Sequence, residues 1–192
     1  MPSRRTDRSP MTPEERLTQL RISDSAGETI DVLAFWGHKP EPSGAIGPGC
    51  LSQWWPAKFT VDGVEYDTAE HWMMAGKARL FGDEDGLAAV LAASSPGAAK
   101  AAGRTVRGFD EKRWRDVRYD IVVAGNVAKF TQHPELGEFL RGTGRKVLVE
   151  ASPYDRVWGI GVGETHDEVP HPARWRGLNL LGFALMEVRE RL

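Results

Sequence analysis

The residues of this chain whose types and spacing could do chemistry stand first in the run Thr68-Ala69-Glu70-His71-Trp72-Met73-Met74-Ala75-Gly76-Lys77. From Glu70 to Lys77 is nearly two helical turns, so a helix there would present both from one face, about 10 Å apart along its axis. Met73, Met74 and Phe81 fall on the same stripe. A carboxylate and an ammonium set among apolar side chains must be paired, reached by water through a cleft, or shifted in pKa. Reactive acid–amine pairs are built in this way. Two structural readings compete: Glu70 as the return half of a capping box begun at Asp67, and Lys77 as a snorkelling surface lysine.

A second cluster is Glu150-Ala151-Ser152-Pro153-Tyr154-Asp155-Arg156-Val157-Trp158-Gly159. A strand ending at Glu150 would deliver Asp155 and Trp158 to a sheet edge, although Asp155 after Ser152-Pro153 also suits a turn. The following Gly159-Ile160-Gly161-Val162-Gly163 lacks the helix a dinucleotide-binding loop requires, but glycine-loop amides can still wrap a phosphate. Seven tryptophans, at 36, 54, 55, 72, 114, 158 and 175, exceed the needs of a core this size. Those in loops or at element ends suit stacking on a heterocyclic base, and at least three are expected to be plain packing. His166, Asp167 and His171 form a loose group without His-Glu-x-x-His or Cys-x-x-Cys spacing, so no metal site is expected.

Several elements must position these residues. Apolar and β-branched content predicts a strand over 30–36, and Asp62-Gly63 between 58–61 and 64–66 predicts a hairpin. Helices are predicted over 69–80, 87–93, 97–103, 111–132, 134–141 and 178–192, with a buried strand over 146–150. The long helix has its apolar stripe at Trp114, Val117, Ile121, Ala124 and Ala128. The last has its stripe at Leu178, Leu181, Leu185, Val188 and Leu192. The loop over 159–177 is too long to be a mere connector. The fold class is α+β: a single, mostly helical domain around a small β-sheet, spanning 30–192. Residues 1–25, rich in Ser, Thr, Pro, Arg and Asp, read as a flexible tail with a short helix over 13–20.

Composition narrows the partners. Of 192 residues 41% are apolar, enough for a full core, and a net charge of -2 supplies no global field to attract nucleic acid. A local basic cleft remains compatible with that balance. The lone Cys50 allows no internal disulfide, suits a reducing cytoplasm, and fits a small buried hydrophobe. Neither a secretory signal nor a membrane span is legible.

In order and spacing the chain resembles the NADAR family. The matching pieces are Phe35-Trp36, Leu51-Ser52-Gln53-Trp54, Phe59 with Asp62-Gly63, and centrally Thr68-Ala69-Glu70-His71-Trp72 with Lys77. Ala99-Lys100-Ala101-Ala102-Gly103-Arg104, Trp114, Lys129-Phe130 and Leu148-Val149-Glu150 follow. Asp155, Trp158-Gly159, Gly177-Leu178-Asn179-Leu180-Leu181-Gly182 and Leu185 through Arg189 complete the match, which runs over 30–192.

The resemblance implies hydrolysis of an N-glycosidic bond with no metal and no redox cofactor. Its implied substrates are small ribosyl molecules, the phosphoribosylamino-pyrimidines of riboflavin synthesis, or ADP-ribose attached to guanine, in nucleotides or nucleic acid. The family's glutamate maps to Glu70, its lysine to Lys77, its tryptophan to Trp114 and its aspartate to Asp155, the expected catalytic set. Expected in substrate binding are Trp36, Gln53, Trp54, His71, Arg104, Trp158, Gly159, Gly161 and Asn179. Arg104 and the 159–163 amides would hold phosphate. Gln53 stands where members often have Asn, and an insertion over 39–49 lengthens the loop before it, so the base-binding end departs from the pattern. Two rival readings are a module that binds ADP-ribose or a nucleotide without cleaving it, and an interaction domain whose tryptophans form an interface.

Overall fold

The computed structural model describes residues 11–192. Its elements follow local chemistry. Thr12 and Glu15 close a capping box over Pro13, starting α1 (Pro13–Ser25). Of the tail predicted over 1–25, residues 1–10 lie outside the described residues, while the short helix expected over 13–20 is present and runs on to Ser25, packed against the domain with Leu17 buried. Arg21 donates to the carbonyls of Pro172 and Trp175, while Asp24 accepts from the Ala173 amide and pairs with His171 at 3.0 Å. α1 therefore clasps the 3-10 turn Pro172–Arg174.

β1 (Val32–Phe35) is followed by the 3-10 turn Pro48–Leu51, then by β2 (Phe59–Val61) and β3 (Val64–Tyr66), joined at Asp62-Gly63 with both residues at positive φ. α2 (Ala69–Phe81) is capped by Thr68, whose hydroxyl accepts from the His71 amide, and ends at left-handed Gly82. This cap removes the Asp67 capping-box reading of Glu70. α3 (Glu84–Leu91), α4 (Pro96–Arg104), α5 (Glu111–Gln132) and α6 (Pro134–Gly142) lead to β4 (Val147–Glu150). α7 (Leu180–Arg191) begins two residues later than predicted, leaving Leu178 37% exposed.

The β component is small and divided: β1 pairs with β4 in parallel, and β2 with β3 antiparallel. α7 packs on the β1–β4 pair, with β4 wholly apolar up to Glu150, while α5 and α2 meet the β2–β3 hairpin. α5 lies against both α2 and α7 and is the central strut. Its buried face differs from the predicted apolar stripe. Trp114, Arg118, Val122, Asn126, Lys129 and Phe130 are buried, whereas Ala124 is exposed. The face turned inward carries three polar side chains, which an apolar pattern search passes over.

α7 approaches β4 closely enough that a Cβ at Gly182 would fall on the carbonyl oxygen of Leu148. That oxygen belongs to the backbone and cannot swing aside. Gly182→Ala is expected to destabilise the fold by about 1–3 kcal/mol despite its better helix propensity, read as a lowered denaturation midpoint at unchanged m-value.

Candidate active site

α2 projects Glu70, Met73, Met74 and Lys77 into a cleft of about 380 Å³, closed on the other side by Trp114 of α5 and by Asp155 and Trp158 of the loop after β4. The cleft continues past Trp54, Lys100 and Arg104 into an outer lobe of about 680 Å³ bounded by Trp36, His38 and Tyr154. Four of the tryptophans thus face the cleft, while Trp55 and Trp175 are buried in the core and Trp72 donates to the Ile121 carbonyl at 2.6 Å.

Glu70 is 2% exposed, and its Oε1 has no hydrogen-bond partner. Burial lifts its pKa to about 7 against the pull of Lys100, so near neutrality it holds a proton much of the time. Glu150, at the end of β4, lines the same cleft with a buried, unpartnered Oε2. Burial and the neighbouring Asp155 push its pKa to about 8. Asp155 accepts at Oδ1 from the Val157 and Trp158 amides, at 2.8 and 2.7 Å. It is both a turn former and a cleft residue, so the two sequence readings of it are compatible.

Lys77 is half-buried. Its Nζ donates to the Gly103 carbonyl at 2.8 Å and sits 4.2 Å from the ring centre of Phe109 and 5.9 Å from that of Trp114. Burial lowers its pKa. No carboxylate neutralises it within ion-pair distance among the described residues, so it is an amine held in place rather than a surface lysine.

The wall carrying Gln53 and Trp54 is fixed from beneath. Lys129, fully buried, donates to the carbonyls of Cys50 and Ser52 at 2.7 and 3.0 Å, and burial lowers its pKa to about 7. Asn126 donates to Gln53 Oε1 at 2.8 Å, leaving Gln53 Nε2 buried and unpartnered at the cleft. The Gln53 carbonyl then accepts from the Glu70 amide at 3.0 Å, tying this wall to the start of α2.

Four residues expected in substrate binding do not line the cleft. His71 is buried, bonded to Thr68 and to the Ala93 carbonyl, and braces α2. Asn179, at positive φ, accepts from the Glu150 amide and donates to the Leu148 carbonyl, so it sets the end of β4 from behind. Gly159 and Gly161 are buried, and the Ile160 and Gly161 amides are spent on the carbonyls of Glu150 and Asp155, so neither of these two amides is free to wrap a phosphate. Gly159 serves close packing instead, since a Cβ there would stand 2.8 Å from the Glu150 carbonyl oxygen. Arg104 is at the cleft but exposed at its mouth. The cleft residues that sequence reasoning missed are Lys100, Phe109, Arg118 and Glu150. Lys100 and Glu150 lay inside quoted motifs; the other two gave no signal.

The fold and this cleft place the chain in a defined class: it belongs to the NADAR family, the NADAR domain model matching residues 34–192. It is 42% identical over 168 residues to N-glycosidase R617 of Acanthamoeba polyphaga mimivirus, covering 85% of this chain and 97% of that one. Against N-glycosidase YbiA of Escherichia coli the identity is 36% over 138 residues, covering 72% and 76%. The NMR structure of E. coli YbiA superposes with a TM-score of 0.66 at 29% identity, over 85% of each chain. The chain is accordingly a hydrolase of N-glycosyl bonds. No helix among the described residues is long and apolar enough to cross a membrane.

Burying Glu70 makes stability depend on pH. The folded carboxyl keeps its proton up to about pH 7 while the unfolded one loses it near 4.5, so stability present in acid is lost as pH rises between those values. Glu70→Gln removes that loss. The variant is expected to melt several degrees above the parent at about pH 8 and to converge with it towards about pH 4, as thermal melts across that range would measure.

Proposed function

We propose that this N-glycosidase cleaves the bond between C1 of a phosphorylated ribose and the nitrogen of an amine or base. The observation that carries the reading is the convergence of Glu70, Lys77 and Asp155 on one cleft walled by Trp54, Trp114 and Trp158. A non-catalytic nucleotide reader needs the aromatic walls but not a buried acid opposite a desolvated amine.

In this reading Glu70, protonated near neutral pH, gives its proton to the nitrogen at the step in which Lys77 displaces it from C1. The Asp155 carboxylate faces the electron deficiency that develops at C1, as carboxylates do in glycoside hydrolysis. Lys77 supplies the second half. When the ribose opens to its C1 imine, the uncharged Nζ adds to C1, the original nitrogen departs as the amine, and a lysine imine remains. Water then adds to C1 and frees both the sugar aldehyde and Lys77. The lowered pKa of Lys77 and its single carbonyl tether support this route over direct attack by water.

The size of the cleft bears on the substrate. A phosphoribosylamino-pyrimidine of riboflavin synthesis would fit the inner lobe alone, whereas the continuous outer lobe, with Trp36 and Tyr154 on its rim, suits the longer ADP-ribose joined to guanine. We therefore favour ADP-ribosyl-guanine. Hydrolysis of both substrates side by side tests this, and release of sugar from neither would leave the reader alternative standing.

Glu70→Gln is expected to lower kcat by about 10²–10⁴-fold with the fold intact. Borohydride added during turnover is expected to leave reduced sugar on Lys77, seen by peptide mass, and none on Lys77→Met. Full turnover with no adduct would exchange the imine route for direct water attack.

A further inference from the structure

The walls of the cleft include a buried guanidinium with an unpartnered nitrogen. Arg118 follows Trp114 by one turn of α5, on the same face. The residue is 8% exposed, and its Nε is sealed from solvent without an acceptor. Its nearest ion pair among the described residues is Glu111, at 3.9 Å, and Glu111 is itself mostly exposed and shared with Arg115 at 3.6 Å. Above it, the Trp158 ring centre is 6.0 Å from the guanidinium carbon.

Arg189, which is half-buried, is by contrast satisfied by neutral acceptors. Arg189 donates to Thr143 Oγ1 at 2.7 Å and to the Lys146 carbonyl at 3.0 Å. Even Arg107, exposed to solvent, forks onto Asp83 through Nε and Nη2, at 3.0 and 2.6 Å. A guanidinium buried without such partners is costly, and a packing role at this position would be filled better by an apolar side chain. Its planar fork matches a phosphoryl group. Of the other expected phosphate ligands, the Ile160 and Gly161 amides are spent on backbone carbonyls and Arg104 stands in solvent at the mouth.

We infer that Arg118 is the anion anchor of the cleft, its guanidinium binding the phosphoryl group on the ribose of the substrate. This rests on the reading of the cleft as a site for phosphorylated ribosides. Arg118 is a binding residue that sets specificity for phosphorylated over free ribosides; it takes no part in breaking the bond. Trp158 holds the guanidinium plane from one side and Glu111 restrains its far edge, leaving the remaining donors to the ligand.

The test compares the full chain with Arg118→Met and Arg118→Lys. Rates are measured on a phosphoribosyl amine and on its dephosphorylated counterpart, with inorganic phosphate as a competing probe. The parent is expected to prefer the phosphorylated substrate, mainly through KM. In Arg118→Met that preference should shrink by about 10- to 100-fold, the scale of a charge-assisted contact, and the inhibition constant for inorganic phosphate should rise in step. Arg118→Lys, which keeps the charge but not the fork, should fall between. An undiminished preference in Arg118→Met would overturn the inference, as would an equal loss on both substrates. If the parent cleaves neither substrate, the proposed activity fails separately, and calorimetric titration with inorganic phosphate decides the anchor: binding lost in Arg118→Met supports it, and equal binding overturns it.

Discussion

The cleft depends on an ammonium group that never meets water. Lys129 stands wholly inside the protein on α5 and donates hydrogen bonds to the Cys50 and Ser52 carbonyls, at the end of the 3-10 turn Pro48–Leu51. Burying a lysine is costly, and its lowered pKa reflects that cost. In return the turn is pinned to the central helix, and with it Gln53 and Trp54. Asn126, one turn earlier, holds the Gln53 side chain, and the Gln53 carbonyl holds the first turn of α2. One stripe of α5 thereby fixes the wall and the helix that must face each other across the cleft.

The opposite wall follows from the end of β4. Asn179 reaches back from the start of α7 to both the Leu148 carbonyl and the Glu150 amide, so the strand ends where a side-chain amide substitutes for a sheet neighbour. There the chain turns through Asp155, whose carboxylate gathers two amides before it faces the cleft. Glu70 and Glu150 share this space with Asp155, and burial together with like charge makes it unfavourable for all three to ionise. A proton is therefore retained near neutral pH, and a general acid needs one at that pH.

Much of the framework was legible because it follows local rules. The Asp62-Gly63 hairpin, the capped helices and the apolar β4 each carry their own signal within a few residues. Glu70 and Lys77 were legible as a pair because helical spacing alone puts them on one face. Asp155 and Trp158 were legible as the product of a strand end. The glycine loop misled, since glycine spacing records that the backbone is crowded or turned without recording what crowds it. Here the crowding partner is the chain's own Glu150 carbonyl rather than a phosphate. His71 and Asn179 misled in the same way: both sit in recognisable motifs, but their hydrogen bonds are spent on the scaffold.

By itself the sequence determined which segments become helix or strand and that an acid and an amine share one helix face, because those depend on neighbours within a turn or two. Only the tertiary structure decided that Arg118, Asn126 and Lys129 face inward, and that Lys100, Phe109 and Glu150 join the cleft. A polar residue on a helix looks solvated to any pattern that counts apolar positions. Its burial depends on carbonyls and side chains contributed by segments dozens of residues away, and those meet it only when the chain has folded.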